Sequence, residues 1–179
     1  MISLYIGGAR SGKSAMAEQA LASCITQPIT YIATANATRS MSARIALHQQ
    51  QRPSQWQTLE APLALAETLQ QIDYPDNVII VDCLTLWLTN QLLAKHNLTA
   101  AVTQLCNTLR TTNSHIVLVS TDVGQSLIPD DDMSRAFVNA SGLMLQHISA
   151  IADNVYYCQA KQPIVLKGLY PANSQLTHG

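Results

Sequence analysis

The sequence predicts an α/β fold, a mostly parallel sheet with helices on both faces. Three observations predict it. Short apolar, β-branched runs alternate with helical patterns along the whole chain, the order that a parallel sheet with crossover helices produces. The runs are continuously apolar, as strands covered on both sides must be. The first run passes directly into a glycine-rich loop and then a helix.

In chain order, the first strand is "ISLYI" at 2–6, and "KSAMAEQALA" opens a helix over 13–23. "TYIAT" at 30–34 is the second strand, followed by helical patterns over 40–51 and 62–72. "VIIVD" at 78–82 is the third, with helices over 84–95 and 99–112. "HIVLVS" at 115–120 precedes a helix over 133–151, and "NVYYC" at 154–158 and the short "PIVLK" at 163–167 complete the sheet. "DYPDN" and "IPDDD" punctuate the pattern as turns.

At 179 residues without a Pro/Gly/Ser-rich linker, the chain is expected to form one domain, residues 1–179, with the aperiodic stretch 171–179 a loosely held tail. Charged residues make up 12%, about half the ~25% typical of soluble domains, so part of the uncharged surface is expected to face another subunit or a large apolar ligand. A net charge of −1 without a basic cluster excludes nucleic acid as partner. The four cysteines are scattered without a C-x-x-C pair, which predicts buried free thiols rather than zinc ligands or a disulfide framework. No apolar run nears the ~20 residues of a membrane span and no signal peptide precedes the first strand, so a cytoplasmic protein is expected.

The chemistry begins in the loop Gly7, Gly8, Ala9, Arg10, Ser11, Gly12, Lys13, Ser14. Its spacing fits G-x-x-x-x-G-K-[ST], in which backbone N–H groups wrap nucleotide phosphates, the lysine reaches the β- and γ-phosphates and the serine hydroxyl binds Mg2+. The strand before and helix after supply the required setting, because the helix N-terminus adds partial positive charge. A Gly-rich turn that merely fits the pattern is the alternative. Asp82, ending "VIIVD", stands where such proteins place the acid that holds magnesium, although alone it is equally the N-cap of the helix from Leu84. Arg44, His48 and Arg52 recur at steps of four, hence on one face of the 40–51 helix and its continuation. Two guanidinium groups around an imidazole suit phosphate chemistry, but a solvated polar face has the same pattern.

A resemblance separates these readings. "GGARSGKS" at 7–14, "YIATA" at 31–35, "ARIALHQQQRPSQWQTLE" at 43–60, "VDCLTLWLTNQL" at 81–92 and "VSTDVGQSLIP" at 119–129 together resemble the bifunctional adenosylcobinamide kinase / adenosylcobinamide-phosphate guanylyltransferase family of cobalamin biosynthesis. The likeness runs in order from residue 2 to about "LKG" at 166–168, and the R-I-x-x-H-x-x-x-R-P arrangement is specific to that family. It implies a P-loop NTPase-like (RecA-like) fold and a homotrimer. It further implies two reactions: phosphorylation of adenosylcobinamide by a nucleoside triphosphate, ATP or GTP, then transfer of GMP from GTP through a guanylylated histidine, which falls on His48. The charge-stabilising roles of Arg44 and Arg52 are read from helix spacing alone. Departures cluster late in the chain: Asp122 stands where the family carries glutamate, Val138 and Asn139 replace its "RD", and Leu145 replaces an amide. Two other readings remain open, a phosphate-loop kinase of another hydroxyl and a nucleotide-binding relative lacking one or both activities. If His48 is not the nucleophile, His115 and Lys13 are the next candidates.

Overall fold

A computed structural model describes residues 1–21, 29–35, 56–125 and 129–171. Within them the elements run β1 (Ile2–Gly7), α1 (Lys13–Leu21), β2 (Ile29–Ala33), β3 (Gln57–Glu60), α2 (Leu65–Gln71), β4 (Val78–Asp82), α3 (Leu84–Leu93), α4 (Leu98–Thr111), β5 (His115–Thr121), α5 (Asp132–Ile151), β6 (Asn154–Gln159) and β7 (Gln162–Lys167). The expected helix over 40–51, with Arg44 and His48, lies outside the described residues, as do Arg52 in its continuation, Cys24 and the tail from 172.

The strands form one sheet in the order β3-β2-β4-β5-β1-β6-β7. Every neighbouring pair is parallel except β6–β7, a hairpin. This is the predicted mostly parallel sheet, with β5 inserted between β1, which carries the glycine-rich loop, and β4, which ends in Asp82.

Alternation along the buried strands divides the core in two. Ile2, Leu4, Ile6, Ile79, Val81, Ile116 and Leu118 pack with Leu65 and Leu69 of α2, Leu84 and Leu88 of α3, Leu105 of α4 and Met144 and Ile148 of α5. Tyr5, Tyr31, Val78, Ile80, Val117 and Val119 pack on the other face with Ala17 and Leu21 of α1. Both faces are therefore covered, and α1 shares its face with Tyr31 and Ile80, the residues that lead to the site.

Two elements differ from expectation. β3, "QTLE", is a short edge strand held by backbone pairing with β2, and three of its four residues are exposed, so no apolar pattern marks it. The helix expected over 62–72 starts only at Leu65, because the carbonyls of Pro62 and Leu63 are taken by α3: Asn90 Nδ2 donates to Pro62 O at 3.0 Å, and Trp87 Nε1 and Gln91 Nε2 to Leu63 O at 3.0 and 2.8 Å. α4 and α5 begin at side-chain N-caps, Asn97 accepting from the N–H of Ala100 and Asp131 from that of Ser134.

Candidate nucleotide-binding site

Parallel sheets bind ligands at the carboxyl ends of their strands. Here that edge gathers the loop after β1, Asp82 at the end of β4, Thr121 at the end of β5 with Asp122 after it, and Cys158 near the end of β6. The loop is bent by local chemistry that its sequence allows. Gly12 is left-handed at φ +91°, a backbone shape that glycine adopts freely. Arg10 is left-handed at φ +59°. Gly7 is required for space: a Cβ there would lie 2.4 Å from the carbonyl oxygen of Cys158 and 2.6 Å from Ser11 Oγ. Gly8 faces open space, with nothing within 4 Å of a Cβ built on it.

The loop folds back on itself. The Ser11 N–H donates to Gly8 O at 3.3 Å, and Lys13 Nζ donates to the same carbonyl at 3.1 Å. Among the described residues Lys13 has no ion-pair partner. Neighbouring strands pin the loop from outside, since the Asp122 N–H donates to Gly7 O at 3.1 Å and the Lys161 N–H to Ser11 O at 2.9 Å. Ser14 lies in the first turn of α1, half-buried. Ser11 Oγ is buried with no hydrogen-bond partner, an orphaned polar atom inside the cradle.

Asp82 alternates with Ile80 and Val78, so the pleat turns it toward the face covered by α1. Tyr31, paired with Ile80 across the β2–β4 ladder, donates its hydroxyl to Asp82 Oδ2 at 3.0 Å. Behind Asp82 the backbone is fixed by Thr34, whose Oγ1 donates to Cys83 O at 2.8 Å and accepts from the Cys83 N–H at 2.9 Å. Asn90 of α3 donates in turn to Thr34 O at 2.7 Å. Thr85 ties α3 to β5, accepting from the Thr121 N–H at 2.7 Å and lying 3.1 Å from Ser120 Oγ. Asp122 joins the loop through its backbone, while its carboxylate accepts from the Gly124 N–H at 3.1 Å.

Two buried thiols, Cys83 and Cys158, flank the cradle. Burial pushes Cys83 up to about 11, with the Asp82 charge adding and Lys13 opposing. Burial likewise pushes Cys158 up to about 11 against the pull of Lys13. Both stay protonated at neutral pH, and Cys106 is also buried and free, as the sequence predicts.

The donor set fits magnesium. Mg2+ is a hard cation that keeps waters and is held by one or two carboxylates with substrate phosphates. Ser14 and Asp82 carry oxygen donors of the hard kind that such a cation takes. His115, the alternative nucleophile, starts β5 and so sits at the opposite edge of the sheet. Burial pushes its pKa down, the chain's amino terminus adds to this, and Asp153 opposes. A seven-residue strand at ~3.3 Å per residue separates it from the cradle.

Sequence reasoning passes over Tyr31, Thr34, Asn90 and Lys161 as contributors to this edge. A signal exists for Asn90, because "LTLWLTNQLL" places Thr85, Asn90 and Gln91 on an otherwise apolar helix, and all three are buried.

The family model for cobinamide kinase / cobinamide phosphate guanyltransferase matches residues 3–166. The chain is 42% identical over 171 residues to the bifunctional adenosylcobalamin biosynthesis protein CobP of Pseudomonas aeruginosa, covering 94% of this chain and 98% of the relative. It is 30% identical over 172 residues to the bifunctional adenosylcobalamin biosynthesis protein CobU of Escherichia coli, covering 87% and 94%. Among solved structures, an ATPase domain has a TM-score of 0.52 at 10% identity, over 93% of this chain and 76% of that one. The flagellar accessory protein FlaH of Methanocaldococcus jannaschii has a TM-score of 0.50 at 13% identity, over 93% and 78%. At those identities the structural likeness shows the fold alone, which is P-loop NTPase-like.

Proposed function

The chain belongs to the cobinamide kinase / cobinamide phosphate guanyltransferase family, and we propose that it carries out both reactions on one nucleotide-binding edge, the second through a guanylylated His48. In the first reaction the aminopropanol hydroxyl of adenosylcobinamide attacks the γ-phosphorus of ATP or GTP, and the nucleoside diphosphate leaves. In the second, a neutral ring nitrogen of His48 attacks the α-phosphorus of GTP and pyrophosphate departs. The phosphate oxygen of adenosylcobinamide phosphate then attacks that phosphorus and the P–N bond breaks, giving adenosylcobinamide-GDP and free histidine.

The observation that carries this reading is that one family model spans residues 3–166, containing both the loop 7–14 and the R-I-x-x-H-x-x-x-R-P arrangement. The structure supports the first half of it. Backbone donors of Gly8 to Ser14 would cradle the phosphates, Lys13 would leave the Gly8 carbonyl for the β- and γ-oxygens, and Ser14 and Asp82 would hold Mg2+. Held there, Mg2+ would supply charge neutralisation for the group being transferred. Tyr31 keeps one oxygen of Asp82 occupied and so orients the other. Arg44 and Arg52 are assigned to stabilising charge at the α-phosphate. The same reading takes the protein as a cytoplasmic homotrimer, for which light scattering should give three times the 19.5 kDa chain mass. Among the described residues no helix is long and apolar enough to cross a membrane.

The test uses GTP labelled at either phosphate. With Mg2+, label at the α-position should remain on the protein as an acid-labile, base-stable phosphoramidate, and label at the γ-position should not. His48→Asn should abolish labelling while GTP binding and the kinase step persist. A wild-type protein that binds GTP but takes up no α-label overturns the guanylyl-histidine assignment.

A further inference from the structure

The turn between β6 and β7 lies outside every motif of the family resemblance, yet it touches the phosphate loop. Ala160 and Lys161 are both left-handed, at φ +50° and +60°. Such a pair makes the tight turn that matches hairpin twist, a conformation in which Asn-Gly or Asp-Gly is the favoured sequence. Two residues with Cβ atoms are strained there, and such strain recurs where surrounding structure fixes a functional geometry. Here the surroundings are the loop itself: the Lys161 N–H donates to Ser11 O at 2.9 Å. The lysine stem rests on Gly12, since a Cβ on that glycine would lie 2.8 Å from Lys161 Cγ and 3.2 Å from its Cα. Gly12 thus answers two requirements, a left-handed backbone and room for this side chain. Among the described residues the Lys161 ammonium has neither a hydrogen-bond partner nor an ion pair.

We propose that Lys161 is a second cation of the nucleotide site, presented by the β6–β7 turn to the triphosphate that the loop 7–14 cradles. The inference rests on the nucleotide reading of that loop. A triphosphate carries more negative charge than Lys13 alone neutralises, and a flexible four-carbon stem anchored at Gly12 lets the ammonium follow the phosphate chain. The contact is to phosphate and not to base, so it serves ATP and GTP alike. It acts through affinity, as an exposed point charge does, and weakens with salt.

The experiment is calorimetric titration of Mg–GTP and Mg–ATP into wild type, Lys161→Gly, Lys161→Gln, Lys161→Arg and Lys13→Ala, with melting curves for each. Lys161→Gly removes the charge while relieving the left-handed strain, so its Tm should be unchanged or raised. Its Kd should nevertheless rise about threefold to tenfold for both nucleotides, with a shallower salt dependence. Lys161→Gln should weaken binding similarly, and Lys161→Arg should restore it. If Lys13→Ala loses binding but Lys161→Gly binds as wild type does, Lys161 is only a turn residue and the inference fails. If Lys13→Ala also binds as wild type does, the loop reading fails and takes the inference with it.

Discussion

The two edges of the sheet treat their carboxylates differently. At the amino edge, Asp73 accepts from Thr112 Oγ1 at 2.6 Å, from the Asn113 and Ser114 N–H groups at 2.9 Å each, and from Ser114 Oγ at 2.8 Å. Its burial alone would raise its pKa, but these bonds outweigh that and hold it at about 2. Asp153 likewise accepts from the Ile2 N–H at 2.7 Å. At the carboxyl edge, among the described residues, Asp82 accepts one side-chain hydrogen bond, from Tyr31, Lys13 donates to a backbone carbonyl and Ser11 Oγ has no partner. A carboxylate saturated by its own chain stabilises the fold and has little left for a ligand. On the proposed function, the edge whose donors and acceptors stay open among the described residues is the one that binds nucleotide.

The contrast can be broken by mutation, and the largest effect is expected at Lys13. Lys13→Ala should weaken Mg–GTP binding at least a hundredfold, about 3 kcal/mol, by calorimetry, because a charge-assisted phosphate contact is lost from a site with few alternatives. Its melting temperature should stay within a degree or two of wild type. Gly7→Ala should cost about 2 kcal/mol in both binding and folding, because its Cβ would meet the Cys158 carbonyl at 2.4 Å and the loop must shift. Chemical denaturation and the same titration measure the two losses together.

At the other edge the effect should be on stability alone. Asp73→Ala leaves backbone N–H groups of Asn113 and Ser114 without their acceptor, which should cost about 1–2 kcal/mol in urea unfolding, with the Kd for GTP unchanged. The pH dependence has a definite sign. Asp73 has its folded pKa depressed from 3.8 to about 2, so its stabilisation is fully present above about 4 and lost as pH falls through 2. Unfolding of wild type and Asp73→Ala between pH 2 and 5 should therefore converge at the acid end. The smallest effect sharpens the comparison within the site. Tyr31→Phe removes only the hydroxyl on Asp82 and should weaken Mg2+-dependent GTP binding about fivefold, roughly 1 kcal/mol, without altering the Mg2+-free affinity.

The legible parts of this molecule are those written locally. β1, the loop and α1 are contiguous, and "VIIVD" carries both a buried strand and its terminal acid, so pattern and spacing suffice. β3 escapes because "QTLE" is held by the backbone of β2 rather than by burial of its own side chains. The contacts that shape the site join residues far apart in sequence: Tyr31 with Asp82, Thr34 with Cys83, and Lys161 with Ser11. Nothing near Ala160 and Lys161 signals a tight turn, since neither glycine nor asparagine occupies it. At Asp122 the bond to Gly7 O is made by the backbone N–H, which any residue but proline supplies, so that contact does not depend on the side chain.

Hydrogen exchange with and without Mg–GTP tests most directly whether the nucleotide occupies the carboxyl edge. Exchange should slow in residues 7–14, around 82–83 and 120–124 and in the 159–162 turn, and stay unchanged over 73–77 and 112–116. Protection at the amino edge, or no protection in the loop at saturating nucleotide, would contradict it.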